Sequence, residues 1–314
     1  MSHSGATRSE RERSVIACLS VLTMLKDRGA CRDSAVFNTL ANRYYRVFGI
    51  ESAMPYRSLY FQMTKRTLLD RYKGSFVGVL WVVLYPLFMV SIYTFVFGDL
   101  LQAKWTSGSM ANPQSLPFSI SVFAGLLVFL MVAEVLSKAP TSISSQLSYV
   151  KKVRFPLMLL AFVDVSIAYL HSAVAWLVMC CVALLLAVEL SWSALLVPVF
   201  LITLAPLLVG LHWMIGAVSV YLRDLEQVMT PTLTLLLFLS PVFYALDSVN
   251  AQLVSIIQLN PLTFWMEGVR GLLVGDFQQF SIARVALYLA TVVIVALVGK
   301  LIFGRLQQGF ADVL

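Results

Sequence analysis

Charged residues are scarce in this sequence. Only 12% of the 314 residues are Asp, Glu, Lys or Arg, whereas 59% are hydrophobic, and the mean hydropathy is +0.84. A soluble chain of this length needs about a quarter of its residues charged to cover its surface. The composition therefore excludes a water-soluble globular protein and predicts a chain that is covered by lipid.

Residues that carry metal, disulfide or nucleotide chemistry are also few. The four cysteines and three histidines have no spacing typical of a zinc site or a disulfide framework. No GxxxxGK[ST] phosphate loop is present. We therefore predict no metal, no cofactor and no ATP site in this chain, and we expect His171 and His212 to pack inside the bundle.

The net charge of +7 indicates topology rather than a nucleic-acid partner, because a basic face for DNA or RNA needs a folded polar domain. Twenty of the 23 Lys and Arg residues lie in segments that we predict to be cytoplasmic. The outer segments hold only Lys104, Arg270 and Arg284. The positive-inside rule then predicts that both termini lie in the cytoplasm.

Long apolar runs predict the fold class. A helix needs about 20 apolar residues to cross the hydrocarbon core. The sequence predicts an all-α, polytopic membrane protein with six transmembrane helices. They lie at about 77–98, 117–136, 155–188, 194–222, 228–246 and 282–303.

A patchy segment separates the fifth and sixth spans. Residues 247–280 are apolar only in short pieces, which Asn260-Pro261 and three glycines interrupt. This pattern predicts a re-entrant or extracytoplasmic helical hairpin, with a simple interfacial loop as the alternative. Glu267 and Arg270 are three residues apart, a spacing that predicts a structural ion pair within one helix.

The region before the first span divides in two. The sequence of residues 57–73 predicts an interfacial helix. This helix begins a membrane domain that we predict to cover residues 57–314. Residues 1–56 form a cytoplasmic N-terminal extension, interpreted either as a poorly ordered segment or as sequence upstream of a later start at Met54. Gly74 and Gly78, four residues apart, form a small-xxx-small pair that permits a close approach of helices.

Ionisable residues inside the predicted spans are costly and therefore informative. Glu134 and Asp164 fall within or near the ends of the second and third spans. Three interpretations stay open for them: an interfacial position, a pore lining, or a pairing between helices.

One helical face of the first span is aromatic. Trp81, Tyr85, Phe88 and Phe95 follow the spacing i, i+4, i+7 and i+14. Such a face can stack on sugar rings, or it can pack against lipid or a neighbouring helix.

Six segments, in order, resemble ABC-type polysaccharide exporter permeases, the family that exports O-antigen, capsule and teichoic acid chains. They are RYKGSFVGVLWVVLYPL (71–87), YVKKVRFPL (149–157), YLRDLEQV (221–228), LSPVFYAL (239–246), NPLTFWMEGVRGLL (260–273) and FGRLQQGFADVL (303–314). The resemblance covers about residues 57–314 and does not include the N-terminal extension.

The resemblance implies an assembly and a location. Two permease copies form a homodimer in a bacterial inner membrane, joined to two copies of a separate ATPase that binds ATP and Mg²⁺. The interfacial helix and the loop 137–155 contact that ATPase. The implied coupling residues are Lys151, Lys152, Arg154, Arg71 and Tyr72. For the three basic residues of the loop the alternative is that they bind anionic lipid headgroups.

The resemblance also implies a substrate and a path. A lipid-linked glycan passes between the first and fifth spans of the two copies, and residues 250–275 lie near the outer exit. The candidate path residues are Trp81, Tyr85, Phe88, Phe95, Phe238 and Tyr244.

Two other functions are weighed against polysaccharide export. A permease on the same architecture could export a drug or a simple lipid instead. An intramembrane glycan-processing enzyme would need paired catalytic carboxylates on an outer loop, and the acidic residues of the predicted outer loops are scattered. We therefore predict a transport subunit without covalent chemistry of its own.

Overall fold

The computed structural model describes residues 57–100, 116–146, 156–246, 249–277 and 280–310. Within these ranges every regular element is a helix and no strand occurs. The predicted all-α membrane class is confirmed for this part of the chain. The N-terminal extension lies outside the described residues.

The described chain contains ten α-helices, which we number in order. A 3₁₀ turn at Gly78–Leu80 precedes α2, and a π-helix at Thr94–Leu100 continues it. The helices are α1 Arg57–Tyr72, α2 Trp81–Tyr93, α3 Phe118–Lys138, α4 Leu159–Leu185, α5 Val197–Ile202, α6 Ala205–Ser219, α7 Leu225–Leu239, α8 Ala251–Leu259, α9 Pro261–Val274 and α10 Ile282–Leu306.

Five helical stretches of the described residues are long and apolar enough to cross a membrane. They match the predicted spans 1, 2, 3, 4 and 6, and we refer to them by those numbers. Their bounds are Gly78–Phe97, Phe118–Thr141, Leu159–Leu185, Trp192–Ser219 and Ile282–Gly309.

The predicted fifth span differs from its prediction. Its helix, α7, has only 15 residues and ends at Leu239 rather than near residue 246. The cause is Pro241, because a proline disfavours the helical conformation of the residue before it. Ser240 is accordingly extended, with φ −93° and ψ 147°. The chain from Ser240 to Leu246 is not α-helical.

Span 2 lies at the centre of the bundle. Helix α3 contacts α2, α4, α6, α7 and α9, and most of its side chains are buried. The closest helix pair is α6 with α10. There a Cβ on Gly210 would lie 2.7 Å from the Cα of Ala296, and a Cβ on Gly299 would overlap the carbonyl oxygen of Gly210. Small residues therefore let these two backbones touch.

The segment between α7 and α10 forms two short helices, α8 and α9. Asn260 ends the first and caps the second, because its Oδ1 accepts a hydrogen bond of 3.0 Å from the backbone N–H of Leu262. Gly275 ends α9 in a left-handed conformation. Ten residues of α9 are buried against its neighbours, which include α3 and α5.

Gly74 and Gly78 do not bring two helices together within the described protomer. Both have positive φ, and a Cβ at either position would meet no atom within 4 Å. They serve the turn between α1 and α2, because this conformation is accessible to glycine without strain.

Candidate functional site

The four aromatic residues predicted on span 1 lie on its exposed side. Trp81 and Tyr85 are each 46% exposed, and Phe88 and Phe95 are each 61% exposed. They are not covered within the protomer, because α2 packs mainly against α3 and α4 through its other side. The two buried residues of α2 are Pro86 and Val90.

Helix α7 presents a second exposed apolar face. Met229 is its one buried residue, and Phe238 near its end is 59% exposed. The candidate Tyr244 follows on the non-helical segment and is half-buried. Its hydroxyl donates a hydrogen bond of 3.3 Å to the carbonyl oxygen of Phe238.

Phe243 joins the ends of span 1 and α7, through Tyr93 and Phe97 rather than the four exposed aromatic residues of span 1, and it was not predicted from the sequence. Its ring is stacked on Phe97 at 4.4 Å with an interplanar angle of 5°. Its centroid lies 4.7 Å from that of Tyr93 and 6.2 Å from that of Phe238. The ends of span 1 and α7 therefore meet around one buried aromatic ring. The available signal was the first of the two aromatic residues in the LSPVFYAL segment.

A polar cluster, which we call the inner cluster, consists of Arg71, Tyr72, Glu134 and His171. Arg71 donates to Glu134 Oε1, and His171 Nδ1 lies 2.8 Å from both carboxylate oxygens of Glu134. The Tyr72 hydroxyl lies 2.8 Å from His171 Nε2. A neutral His171 with its proton on Nδ1 donates to Glu134 and accepts from Tyr72, so both contacts are satisfied.

The predicted coupling residues Arg71 and Tyr72 are therefore engaged within the protomer. Burial raises the pKa of the Tyr72 hydroxyl above its usual value, and Arg71 opposes the shift. Glu134 and His171 are only 14% and 15% exposed in their side chains. Of the interpretations open for Glu134, the pairing between helices is the one that the structure shows.

Asp164 has the same kind of partner. Its Oδ2 lies 2.8 Å from Nε2 of His212, and the histidine is buried between α4 and α6. Next to it, the Trp213 indole donates a hydrogen bond of 3.1 Å to the carbonyl oxygen of Met158. Asp164 also pairs two helices, and neither acid was predicted from the sequence to contact its histidine.

The structure brings Glu267 and Arg270 together. Arg270 Nη1 lies 2.6 Å from Glu267 Oε1. The guanidinium does more than bind its helical neighbour: Nε donates to the Ser121 carbonyl oxygen at 3.1 Å, and Nη2 donates to the Val242 carbonyl oxygen at 3.0 Å. Arg270 is buried, so it ties α9 to the start of α3 and to the non-helical segment after α7.

Three of the predicted coupling residues, Lys151, Lys152 and Arg154, lie outside the described residues. Their role in contacting a partner stays a prediction. The described part of the same connection, Ala139–Thr141 and Ser144–Gln146, is formed by two 3₁₀ turns. Ser219 Oγ donates a hydrogen bond of 2.8 Å to the carbonyl oxygen of Pro140, which fixes the first turn to α6.

Comparison with known proteins adds a family and three relatives. The family model described as ABC-2 type transporter matches residues 58–274. An O-antigen export system permease protein RfbA of Myxococcus xanthus is 26% identical over 214 residues, which cover 67% of this chain and 78% of the relative. Two proteins of the same name from Klebsiella pneumoniae are each 24% identical, over 254 and 260 residues, covering 80% of this chain and 93% of the relative.

Proposed function

The chain belongs to the ABC-2 type transporter family, and on that basis we propose that it is the permease subunit of an ABC transporter that exports a polysaccharide. The observation that carries the proposal is its similarity to O-antigen export permeases over most of both chains. It is a multi-pass membrane protein and a transport subunit rather than an enzyme. The polysaccharide is linked to a lipid, and the membrane is the inner membrane of a bacterium.

An ABC-2 permease works with an ABC ATPase. We propose that two ATPase copies bind ATP and Mg²⁺ and contact this chain through α1 and the loop 137–155. Charge supports the contact, because α1 and the residue after it carry five basic side chains against one acidic one. Closure of the ATPase dimer then tilts the spans between inward-open and outward-open states.

The proposed topology has six crossings with both termini in the cytoplasm. Helix α7 alone is too short to cross, but residues 240–246 extend it beyond Leu239. Non-helical backbone is tolerated at membrane depth where protein surrounds it. Ser240, Val242 and Phe243 are buried, and the Val242 carbonyl oxygen accepts a hydrogen bond from Arg270. In this topology α8 and α9 form a re-entrant hairpin near the outer exit.

The proposed path lies between two copies of the chain. The face of span 1 and the face of α7 are apolar and exposed in the protomer, and the ends of these two helical stretches meet at Phe243. A second copy packed against part of this surface would remove it from lipid and enclose an aromatic-lined path. Sugar rings present apolar faces that aromatic side chains can stack on, so Trp81, Tyr85 and Phe88 are suited to hold a glycan without binding it tightly.

A deletion experiment tests the exported substrate. In a strain without this chain, we expect lipid-linked polysaccharide to accumulate on the cytoplasmic side and to disappear from the cell surface. A plasmid copy should restore it. Unchanged surface polysaccharide together with altered drug sensitivity or altered membrane lipids would instead support the alternative, a drug or lipid exporter on the same architecture.

Cysteine labelling tests the six crossings at α7. Gln227 and Gln252 are both exposed and lie at the start of α7 and of α8. In a cysteine-free background, we expect an impermeant thiol reagent to label Gln252→Cys but not Gln227→Cys from outside. Labelling of both or of neither would mean that α7 does not cross the membrane.

A further inference from the structure

The inner cluster is the contact through which helix α1 reaches two spans at once. Arg71 and Tyr72 are the last two residues of α1, Glu134 belongs to span 2 and His171 to span 3. The carboxylate of Glu134 contacts both Arg71 and His171. His171 in turn contacts Tyr72, so three side-chain contacts in series, which begin and end on adjacent residues of α1, link three helices.

Other attachments of α1 are weaker. None of its residues is fully buried, and its packing contacts are mainly with span 3. A second polar contact, between the Tyr60 hydroxyl and Ser166 Oγ, joins the first part of α1 to the same span. Span 2 is reached through Arg71 and Glu134.

The covalent connection from α1 to span 1 is not a stiff one. It contains Gly74 and Gly78, both with positive φ and with open space where a side chain would be. A displacement of α1 is therefore absorbed in this turn rather than passed along a continuous helix. The side-chain contacts of the inner cluster offer a more rigid connection.

Stability alone does not require such a cluster. A carboxylate inside a span is costly, and well-packed apolar side chains stabilise a bundle as well as a buried ion pair does. What this series of hydrogen bonds adds is a fixed relative position of the three helices that carry it.

We propose that Glu134 and His171 are positioning residues that make α1 and the adjacent parts of spans 2 and 3 move as one body. This inference rests on the proposed function, in which the ATPase displaces α1. Span 1 packs against spans 2 and 3 but is joined to α1 through the glycine turn and has no comparable polar contact among the described residues, so it can shift against this body. That relative motion displaces the exposed aromatic face of span 1, while the packing of the bundle core stays intact.

Distance measurements between α1 and span 3 test directly whether the two move together, and they need no transported substrate. Spin labels at Gln62→Cys on α1 and Leu177→Cys on α4 sit at exposed positions in a cysteine-free background. In the complex with its ATPase, reconstituted in lipid, we expect the same narrow distance distribution with and without ATP. In Glu134→Gln the distribution should shift on addition of ATP. A shift in the unsubstituted protein, or none in Glu134→Gln, would overturn the inference.

The ratio of glycan exported to ATP hydrolysed separates positioning from folding. We expect Glu134→Gln to lower this ratio about tenfold while the ATPase rate changes by less than about twofold. Tyr72→Phe removes only the hydroxyl that meets His171, and it should lower the ratio about threefold even if Glu134→Gln fails to fold. Loss of export in proportion to ATPase activity or to folded protein would contradict a positioning role.

Asp70→Asn is the matched control. Asp70 lies on the same helix, is exposed and pairs with Arg66 and Lys73, which are outside the cluster. Because α1 is also the proposed ATPase contact, Asp70→Asn is compared by the ratio of glycan exported to ATP hydrolysed and not by the ATPase rate. The ratio should stay unchanged, and an equal fall would show that any charge on α1 has this effect and would contradict the positioning role. If the unsubstituted complex hydrolyses ATP but exports no glycan, the proposed function fails, while the distance measurement still decides the inference.

Discussion

Spans 1 and 2 have similar apolar sequences but opposite surroundings. In the most apolar part of span 2, Phe118–Thr141, 78% of the residues are buried, against 11% in span 1, Gly78–Phe97. Span 2 is surrounded by five helices, whereas the aromatic face of span 1 is open. Apolar character in a membrane protein therefore does not indicate core, because lipid accepts an apolar face as well as protein does.

The comparison separates a rigid part of the protomer from a surface available to partners. Span 2 receives a buried polar contact near each end: Ser121 is bound by Arg270, and Glu134 is bound by Arg71 and His171. Span 1 has no comparable polar attachment among the contacts of the described residues. Substitutions in span 2 should accordingly affect stability, and those on the face of span 1 should affect transport.

The largest expected effect concerns the buried attachment of span 2. Arg270→Met leaves two carbonyl oxygens and the Glu267 carboxylate without their donor, which should lower the free energy of unfolding by about 3–5 kcal/mol. Denaturant titration of the purified protein in bicelles measures it. Arg284→Met, at an exposed position on α10, should change stability by less than about 0.5 kcal/mol. Equal effects would mean that the Arg270 contacts do not hold span 2.

A matched pair of phenylalanines compares the two spans directly. Phe123 on span 2 is 1% exposed, so Phe123→Ala should leave a cavity and cost about 3 kcal/mol of unfolding free energy. Phe88 on span 1 is exposed, and Phe88→Ala should change stability by less than about 0.5 kcal/mol.

Export by the same two variants sharpens the result. Corrected for the amount of folded protein, we expect export to fall in Phe88→Ala and to stay unchanged in Phe123→Ala. If Phe88→Ala exports normally, this residue faces lipid or a helix of the second copy rather than the glycan.

Smaller changes in stability, of opposite sign, are expected from two glycine substitutions on helix α10. A methyl group on Gly299 overlaps the backbone of Gly210, so Gly299→Ala should destabilise the protein by about 2 kcal/mol. A methyl group on Gly304 meets no atom within 4 Å, and Gly304→Ala should stabilise the helix by about 0.5–1 kcal/mol. Thermal unfolding in detergent compares the two. Destabilisation by both would show that helix propensity and packing are not separable here.

The smallest effect is expected from the N-terminal extension. The family match begins at residue 58, after this extension. A chain that starts at Met54 should therefore insert and export as the full chain does, and the contrast between spans 1 and 2 should persist. Membrane levels measured by immunoblot control for expression. Lost export at normal levels would assign the extension a function.

Much of the fold was predictable because the bilayer imposes it. A span of about 20 apolar residues is required by the thickness of the hydrocarbon core, and five of the six predicted spans are present as such. The end of α7 was predictable in principle from Pro241. It was missed because residues 240–246 are apolar enough to extend the run, and hydropathy does not register a broken helix.

The candidate site was predicted only where its residues share one helix. The common face of the four aromatic residues in span 1 and the contact of Glu267 with Arg270 follow from helical periodicity. The contacts of Arg71 with Glu134 and of Phe243 with span 1 join distant parts of the chain, and periodicity carries no information about them. The same limit applied to Asp164, whose partner His212 is 48 residues away.

The sequence by itself determined that the chain is helical, membrane-spanning and without a phosphate loop, because composition and run length decide these properties locally. Only the tertiary structure decided which equally apolar helix is central and which is exposed. It also decided that Arg270, 149 residues from Ser121, lies buried between α3 and α9. The physical reason is that lipid and protein are similarly apolar, so polar contacts and the close approach of small residues select the neighbours of each helix.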